Sequence, residues 1–241
     1  MLIESIDNEK IKKLKKLHQK KYRDIEDKYL IEGIHLVKEA YKSNDLLEVL
    51  LLEGQTVDFD CDITYVSKKV IKYLSNLETP YNIIGICKKN KEKEIKGNVL
   101  ILDDIQDPGN LGTIIRSSLA FNIDTIILSE NSVDLYNFKV LRSSQGMNFH
   151  INIIKDNLTK RIDELKNNGY TIYTTDVNEG KELKNIKFDK KCAIIMGNEG
   201  NGVSKEISNL SDEKIYINMN KNCESLNVAV ATSIILYELN K

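Results

Sequence analysis

The segment VLILDDIQDPGNLGTIIRSSLAF, residues 99–121, joins a short apolar run, a polar turn and an amphipathic helical pattern. Its first four residues are all apolar, which is typical of a strand buried on both faces of a parallel sheet. Pro108 and Gly109 suit the central positions of a type II turn, and Asn110 is then placed to begin the helix. The segment predicts strand, turn and helix, the repeating unit of an α/β fold.

The same alternation extends in both directions along the chain. Short apolar runs alternate with helical patterns over residues 99–241, which predicts a larger α/β domain with a mostly parallel sheet. Residues 1–90 alternate in the same way and predict a smaller α/β domain. The charged, apolar-poor segment 91–98 between them predicts a linker.

Composition limits the classes of function. The chain has 35 lysines and arginines against 36 acidic residues, so a nucleic acid would have to be attracted by a local patch and not by net charge. The four cysteines form no C-x-x-C pair, which predicts neither disulfides nor a metal site. No signal peptide and no apolar run of about 20 residues is recognised, so we expect a cytoplasmic protein without a membrane segment.

Residues Lys10–Arg23 form a cationic stretch, KIKKLKKLHQKKYR, without an acidic residue and with Ile11, Leu14 and Leu17 at helical spacing. A helix with such a stripe suits neutralisation of phosphates, although a solvated helix face explains the same pattern. The candidate RNA-binding residues are Lys12, Lys13, Lys15, Lys16, Lys20, Lys21 and Arg23.

Arg116 stands within two turns of the loop that follows the predicted strand of the 99–121 segment. Gly112 and Ala120 share its helical stripe, so small residues flank the arginine and allow another backbone to come close. A surface arginine on an amphipathic helix is the alternative interpretation.

Two later loops also follow predicted strands. In MGNEGNG, residues 196–202, the glycines let backbone amides face a ligand, and Glu199 supplies an acceptor. The strand KIYINM is predicted to end at Met219. In INMNKNCESLNVAVA, residues 217–231, Ser225 is placed to cap a helix whose first amides favour anions. Taken singly, the two loops are also explained as an ordinary turn and a capped helix. The final helix is apolar from Val228 to Leu236, which predicts burial in a core or against a partner.

Three motifs in order resemble those of the SpoU family of RNA ribose 2'-O-methyltransferases. They are N-x-G-x-x-x-R from Asn110 to Arg116, G-x-E-x-x-G from Gly197 to Gly202, and E-S-L-N-V from Glu224 to Val228. The resemblance implies S-adenosylmethionine as methyl donor, a C-terminal trefoil knot, a homodimer, and structured RNA as substrate, with rRNA favoured over tRNA. The catalytic residues that it implies are Asn110, Arg116, Glu199, Ser225 and Asn227. The cofactor-binding residues that it implies are Gly197, Asn198, Gly200, Ile217, Met219, Ser225, Leu226 and Asn227. For Gly197, Ile217 and Leu226 it implies contacts made largely through backbone groups.

The sequence departs from the family pattern at two positions. Asn218 stands where the family commonly has proline, which leaves an additional N–H, and Asn122 stands where glycine is frequent. Arg116 is open to two roles: a base, or a clamp for phosphate or alkoxide that needs no deprotonation. Three functional alternatives are a tRNA ribose methyltransferase, an inactive RNA-binding protein of the same fold, and a nucleotide-dependent oxidoreductase. The sequence lacks the G-x-G-x-x-G fingerprint that is typical of the last of these.

Overall fold

The computed structural model describes residues 2–177 and 179–241. Met1 and Asn178, which fall within the predicted domains 1–90 and 99–241, lie outside the described residues. Contacts divide the chain into two compact units. The first extends to Lys91 and also includes Asp134–His150, and the second comprises Glu92–Val133 and Ile151–Lys241.

The described helices are α1 (Glu9–Lys16), α2 (Lys20–Glu26), α3 (Ile34–Lys42), α4 (Lys68–Leu74), α5 (Pro108–Ala120), α6 (Phe138–Ser144), α7 (Leu158–Asn167), α8 (Lys205–Ser208) and α9 (Val228–Leu239). The described strands are β1 (Leu2–Ile3), β2 (Lys28–Glu32), β3 (Leu46–Leu52), β4 (Ile63–Val66), β5 (Ile83–Lys88), β6 (Val99–Leu102), β7 (Thr125–Leu128), β8 (Asn152–Lys155), β9 (Thr171–Thr175), β10 (Lys181–Glu182), β11 (Cys192–Met196) and β12 (Glu213–Tyr216). None of these helices has the length and apolar character needed to cross a membrane.

The first unit is built on a mixed five-stranded sheet in the order β1-β4-β3-β5-β2. Strands β1, β4 and β3 are parallel, and β5 pairs antiparallel with both β3 and β2. One apolar cluster joins the sheet to α1 and α4 through Ile11 and Val70. Another joins it to α3 and α6 through Val37 and Leu141, and helices therefore cover both faces of this sheet.

The segment Asp134–His150 belongs to the first unit, whereas the predicted domain ranges placed it in the larger domain. It groups with the first unit because Leu141 and Phe149 pack in the same core as Tyr29 and Val37. The helical pattern of α6 is readable in the sequence. The core to which its apolar side chains belong is not.

The second unit is built on a seven-stranded sheet in the order β10-β12-β9-β11-β6-β7-β8. Every strand pair in it is parallel. The residues of β6, β7 and β11 are all buried, as expected for parallel strands covered on both faces. The predicted α/β fold with a mostly parallel sheet is confirmed, and the carboxyl ends of its strands mark the edge where ligands bind in such folds.

Three local predictions were wrong. The basic stretch forms two helices, α1 and α2, because the chain turns at residues 17–19. Helix α5 begins at Pro108 with Asp107 as its N-cap, whose carboxylate accepts the N–H of Asn110 at 2.8 Å, so there is no type II turn. Proline suits the first helical position because the N–H that it lacks would have no partner there. Strand β12 ends at Tyr216 and not at Met219.

Candidate functional site

A cavity of about 370 Å³ lies at the carboxyl edge of the parallel sheet in the second unit. It is bordered by the segments that follow β9, β11 and β12, and by α9. The predicted cofactor residues that line it are Gly197, Asn198, Gly200, Ile217, Met219, Ser225 and Leu226, and Glu199 lines it as well. Two loops far apart in sequence thus border one cavity.

Gly197 permits the loop after β11 to fold back on itself. Asn198 and Gly202 exchange two backbone hydrogen bonds, each 3.0 Å long, and Gly202 has a φ of +69°. A Cβ atom at Gly197 would lie 2.0 Å from the carbonyl carbon of Gly202, far inside van der Waals contact. Glycine at position 197 is therefore required by the close approach of the returning chain.

The end of β6 holds this loop in place. The side-chain nitrogen of Asn198 donates to the carbonyl of Asp104 at 2.7 Å, and its side-chain oxygen accepts the N–H of Gly200 at 2.8 Å. The buried carboxylate of Asp103 accepts the N–H of Ser204 at 2.8 Å. The side chain of Asn198 thus shapes the loop that borders the cavity.

A hydrogen-bonded chain joins residues of all three sequence motifs. The side-chain nitrogen of Asn227 donates to the side-chain oxygen of Asn110 at 2.9 Å. The side-chain nitrogen of Asn110 donates in turn to Oε1 of Glu199, also at 2.9 Å. Three of the five predicted catalytic residues are therefore in direct contact.

Glu199 is held as an acceptor by several donors. Besides Asn110, the N–H groups of Gln106 and Asp107 donate to its carboxylate at 3.4 and 3.3 Å. Partial burial by itself would raise the pKa of Glu199, but the hydrogen bonds from Asn110 and from these backbone N–H groups outweigh it and lower the pKa. The carboxylate is therefore ionised at neutral pH and fixes the orientation of the Asn110 amide.

Asn227, and not Ser225, is the N-cap of α9. Its side-chain oxygen accepts the N–H groups of Ala229 and Val230 at 2.9 and 3.3 Å. The prediction that Ser225 caps this helix was wrong because the chain enters the helix two residues later. Ser225 is exposed and lines the cavity.

Arg116, like Ser225, is a predicted catalytic residue that the chain from Asn227 to Glu199 does not include. It is exposed on α5, and its guanidinium makes no ion pair or hydrogen bond with any residue in the described part of the chain. The helix that carries it is fixed to α9, where the hydroxyls of Ser117 and Ser233 are 2.7 Å apart. The positive charge is thus presented to solvent from a well-anchored helix.

The chemistry of the cavity fits S-adenosylmethionine. Its wall includes half-buried Ile217 and Leu226, which suit a flat apolar surface such as adenine. The backbone N–H and C=O groups of Met219 and Leu226 have no hydrogen-bond partner among residues 2–177 and 179–241, so they are free to bind the polar edge of a ligand. Contacts made by backbone groups are those that the resemblance implies for this cofactor.

The lining residues that were not predicted include Thr175, Asp176 and Val177. Thr175 is the last residue of β9, and Asp176 and Val177 follow it directly, so all three stand at the same carboxyl edge as the two predicted loops. The strand-end rule for parallel sheets would have identified them.

Both departures from the family pattern have local partners. Lys184 and, after it, the side-chain amide of Asn218 lower the pKa of Glu182 in strand β10, so Asn218 lies beside that carboxylate. Asn122 adopts the left-handed conformation with a φ of +56°, which asparagine tolerates better than most residues. Its side chain donates to that of Asn240, the C-cap of α9, at 2.8 Å.

The cationic candidates in the first unit fall into two groups. Lys13, Lys16 and Lys21 are exposed and make no ion pair with a described residue. The others have partners: Lys12 lies 3.6 Å from Asp7, Lys15 donates to the carbonyl of Tyr73 at 2.6 Å, and Lys20 pairs with Asp24 at 2.5 Å. Burial lowers the pKa of Lys15 despite the attraction of Glu32.

Arg23 differs from the prediction because it is buried. Its guanidinium donates to the carbonyls of Leu17 and His18 and pairs with Asp134 at 2.5 Å. These bonds hold the turn between α1 and α2, so Arg23 is a structural residue and not part of an exposed cationic surface.

Comparison with known proteins agrees with this site. The model of the SpoU rRNA Methylase family matches residues 97–237, and that of an MRM3-like substrate binding domain matches residues 8–85. The chain is 39% identical over 243 residues to the 23S rRNA (guanosine(2553)-2'-O)-methyltransferase RlmP of Bacillus subtilis, with 98% of each chain covered.

Solved structures give the same result. The AdoMet-bound rRNA methyltransferase from Sinorhizobium meliloti superposes with a TM-score of 0.87 at 27% identity and covers 99% of this chain and 96% of its own. The TrmH/SpoU tRNA modifying enzyme of A. aeolicus has a TM-score of 0.52 at 29% identity and covers 62% of this chain and 76% of its own. Since the family model matches more than half of the sequence and a relative matches almost all of it, the chain belongs to the SpoU rRNA methylase family.

Proposed function

We propose that this protein transfers the methyl group of S-adenosylmethionine to a ribose 2'-hydroxyl of ribosomal RNA. The observation that carries the proposal is the hydrogen-bonded chain from Asn227 through Asn110 to Glu199, which joins all three motifs. Glu199 also lines the cavity, so the chain of polar side chains reaches the cofactor pocket.

The chemistry requires alignment and charge stabilisation. The cofactor supplies an electrophilic methyl group, whereas a ribose 2'-hydroxyl is a weak nucleophile. Fixed polar groups lower the barrier by holding the reacting atoms in line and by stabilising the charge that develops on oxygen. Asn110 is such a group, because its amide is held at both ends by Asn227 and Glu199.

Arg116 is the candidate for binding the RNA phosphate beside the reacting ribose. Its exposed guanidinium has no partner among the described residues, so two oxygens of one phosphate can accept its two parallel N–H donors. A guanidinium rarely gives up its proton, so we assign Arg116 to charge stabilisation and not to the role of base.

Ribosomal RNA is favoured over tRNA by the extent of the matches. The relative named for 23S rRNA and the AdoMet-bound rRNA methyltransferase both align over nearly the whole chain. The A. aeolicus tRNA modifying enzyme matches less than two thirds of it. The first unit is thus shared with rRNA enzymes, and we assign it to binding of the rRNA substrate.

Our proposal includes a homodimer, the C-terminal trefoil knot and a cytoplasmic location. An exposed apolar stripe on α9 supports the dimer: Val230, Ile234 and Tyr237 are 49, 36 and 54% exposed and lie three or four residues apart. The position of β11 between β6 and β9 supports the knot, in which the C-terminal part of the chain would pass through an earlier loop.

The test is transfer of tritiated methyl groups from S-adenosylmethionine to unmodified transcripts of 23S rRNA and of tRNA, followed by mapping of the modified nucleotide. We expect label in the rRNA, on a ribose 2'-oxygen. Label in tRNA alone would move the protein to the tRNA alternative. Calorimetry that shows binding of NAD but not of S-adenosylmethionine would refute the methyltransferase assignment.

The dimer has a separate test. We expect light scattering at micromolar concentration to give twice the chain mass of 27.6 kDa, and Ile234→Arg to shift the protein toward the monomer. A parent protein of monomer mass would contradict this part of the proposal.

A further inference from the structure

The first unit contains a groove of about 390 Å³ that the proposed chemistry does not use. It is lined by the turn between α1 and α2, by the first residues of α3, by the loop between α4 and β5, and by α6 with its flanking residues. These segments are distant in sequence but converge within one compact unit.

An aromatic platform lies on this groove. The side chain of Tyr81 is 54% exposed, and that of Phe138 is 37% exposed. Tyr81 is nevertheless well positioned, because its ring packs over the backbone of Gly33, where a Cβ atom would lie 3.2 Å from Cδ2 of the ring. Gly33 has a φ of +98°, which favours glycine in any case. The groove therefore offers a fixed ring with an accessible surface, which is the arrangement that stacks an unpaired base.

Two side-chain amides on the rim of the groove can accept further hydrogen bonds. The side-chain nitrogen of Asn76 lies 2.7 Å from Nδ1 of His18, and that of Gln145 donates to the carbonyl of Arg142 at 2.7 Å. The side-chain oxygens of Asn76 and Gln145 have no hydrogen-bond partner in the described ranges. Two acceptors held by their own amide nitrogens can recognise the amino groups on a base edge.

A positively charged side chain also borders the groove. The Arg142 side chain is exposed on α6 and forms no ion pair with the described residues. The groove also begins at Leu17 and His18, directly after Lys16, so a strand bound along the exposed lysines of α1 and α2 can continue into it. Positive charge that follows a backbone, combined with a ring that stacks a base, is how single-stranded RNA is bound.

We infer that this groove binds one unpaired nucleotide of the RNA substrate, with its base stacked on Tyr81 and its phosphate at Arg142. The inference rests on the proposed function, because it takes RNA as the substrate. It adds a base-binding site to the first unit, separate from the cavity beside β11.

The experiment measures RNA binding and methyl transfer side by side. The probe is a fluorescein-labelled 23S rRNA transcript centred on guanosine 2553, the nucleotide in the name of the Bacillus subtilis relative. The variants are Tyr81→Ala, Tyr81→Phe and Arg142→Ala. The matched control is Tyr41→Ala, which removes another exposed tyrosine of the same unit that lies outside the groove.

We expect Tyr81→Ala to weaken binding on the order of 10-fold or more and Tyr81→Phe to restore it, because the ring face and not the hydroxyl stacks the base. The salt dependence should stay as in the parent for Tyr81→Ala. For Arg142→Ala the slope of log K against log salt should fall by about 0.7 to 0.9, the loss of one phosphate contact. In methyl transfer, Tyr81→Ala should raise KM for RNA and leave kcat near that of the parent.

Three outcomes overturn the inference in distinguishable ways. If the parent methylates the transcript and folded Tyr81→Ala binds it as tightly as the parent does, the groove is not a nucleotide site although the proposed function stands. If the parent neither binds nor methylates any RNA, the proposed function fails and the inference fails with it. Equal weakening by Tyr41→Ala would likewise reject a specific role for the groove.

Discussion

The side chain of Asn227 caps α9 with its oxygen and donates to Asn110 with its nitrogen, at 2.9 Å in both directions. One amide therefore fixes the start of a helix and the orientation of a candidate catalytic residue at the same time. The two tasks use different atoms and can be separated by substitution.

Asn227→Asp should keep the cap and lose the donor. Its carboxylate can still accept the N–H groups of Ala229 and Val230, so the melting temperature should stay near that of the parent. A carboxylate oxygen facing Oδ1 of Asn110 repels it, so single-turnover methyl transfer should fall. Asn227→Ala loses both functions and should also cost about 1 kcal/mol of stability, or about 2 to 4 °C. Parental turnover by Asn227→Asp would contradict the orienting role.

Glu199 should give methyl transfer an acid limit. Its pKa is lowered in the folded protein, so the contribution of its carboxylate is present above the ordinary glutamate pKa and is lost as the pH falls through the lowered value. At neutral pH the network should be intact, and turnover should decline only on strong acidification. Single-turnover rates against pH for the parent and for Glu199→Gln measure this. A glutamine that retains both the rate and the acid limit would show that another group titrates.

Gly197 and Gly200 form a matched pair within one loop. Gly197→Ala should displace the returning chain at Gly202 and abolish S-adenosylmethionine binding, because its Cβ would collide with backbone. Gly200→Ala should be tolerated, since its Cβ would have only Asn198 Oδ1 nearby, at 3.5 Å. Calorimetric titration with the cofactor compares the two variants, and thermal unfolding controls for global damage. Equal affinity in both would mean that the loop does not form the cofactor site.

The lysines of α1 and α2 should contribute unequally to RNA binding. Neutralising Lys13, Lys16 and Lys21 should flatten the salt dependence of RNA affinity by up to about 0.7 to 0.9 per lost phosphate contact. Neutralising Lys20 should change it less, because that lysine already pairs with Asp24. Cofactor binding should stay intact in every case. An unchanged salt slope in the triple variant would make this surface a solvated helix face.

The parallel sheet and the cavity loops were predictable because they depend on local patterns. The apolar runs of β6 and β11 require burial on both faces, and the polar residues that follow them must lie at one edge of the sheet. The spacing from Gly197 to Gly202 likewise reflects a local backbone requirement.

Features that depend on tertiary packing were not predictable. Ser225 was predicted to cap the last helix, but the chain enters α9 at Asn227, a residue type that caps equally well. Arg23 reads as one more cation of a basic stretch, yet Asp134, 111 residues away, makes it a buried ion pair. The groove beside Tyr81 depends on α6, whose place in the first unit no local pattern reveals.

Arg116 provides the test that separates chemistry from binding. Because its side chain is exposed and has no partner among the described residues, Arg116→Ala should fold with the stability of the parent. Affinity for S-adenosylmethionine should be nearly unchanged, since Arg116 is not among the residues that line the cavity.

The effect of Arg116→Ala should appear as a lower rate of methyl transfer once RNA is bound. Removal of one preorganised group that stabilises developing charge costs on the order of 100- to 1000-fold. Arg116→Lys keeps the charge but loses the planar pair of donors, so it should restore little if the arginine grips a phosphate at two points. Single-turnover methyl transfer beside calorimetry with the cofactor measures both effects. Parental turnover by Arg116→Ala would remove this residue from the catalytic set and leave the Asn227, Asn110 and Glu199 chain to account for the chemistry.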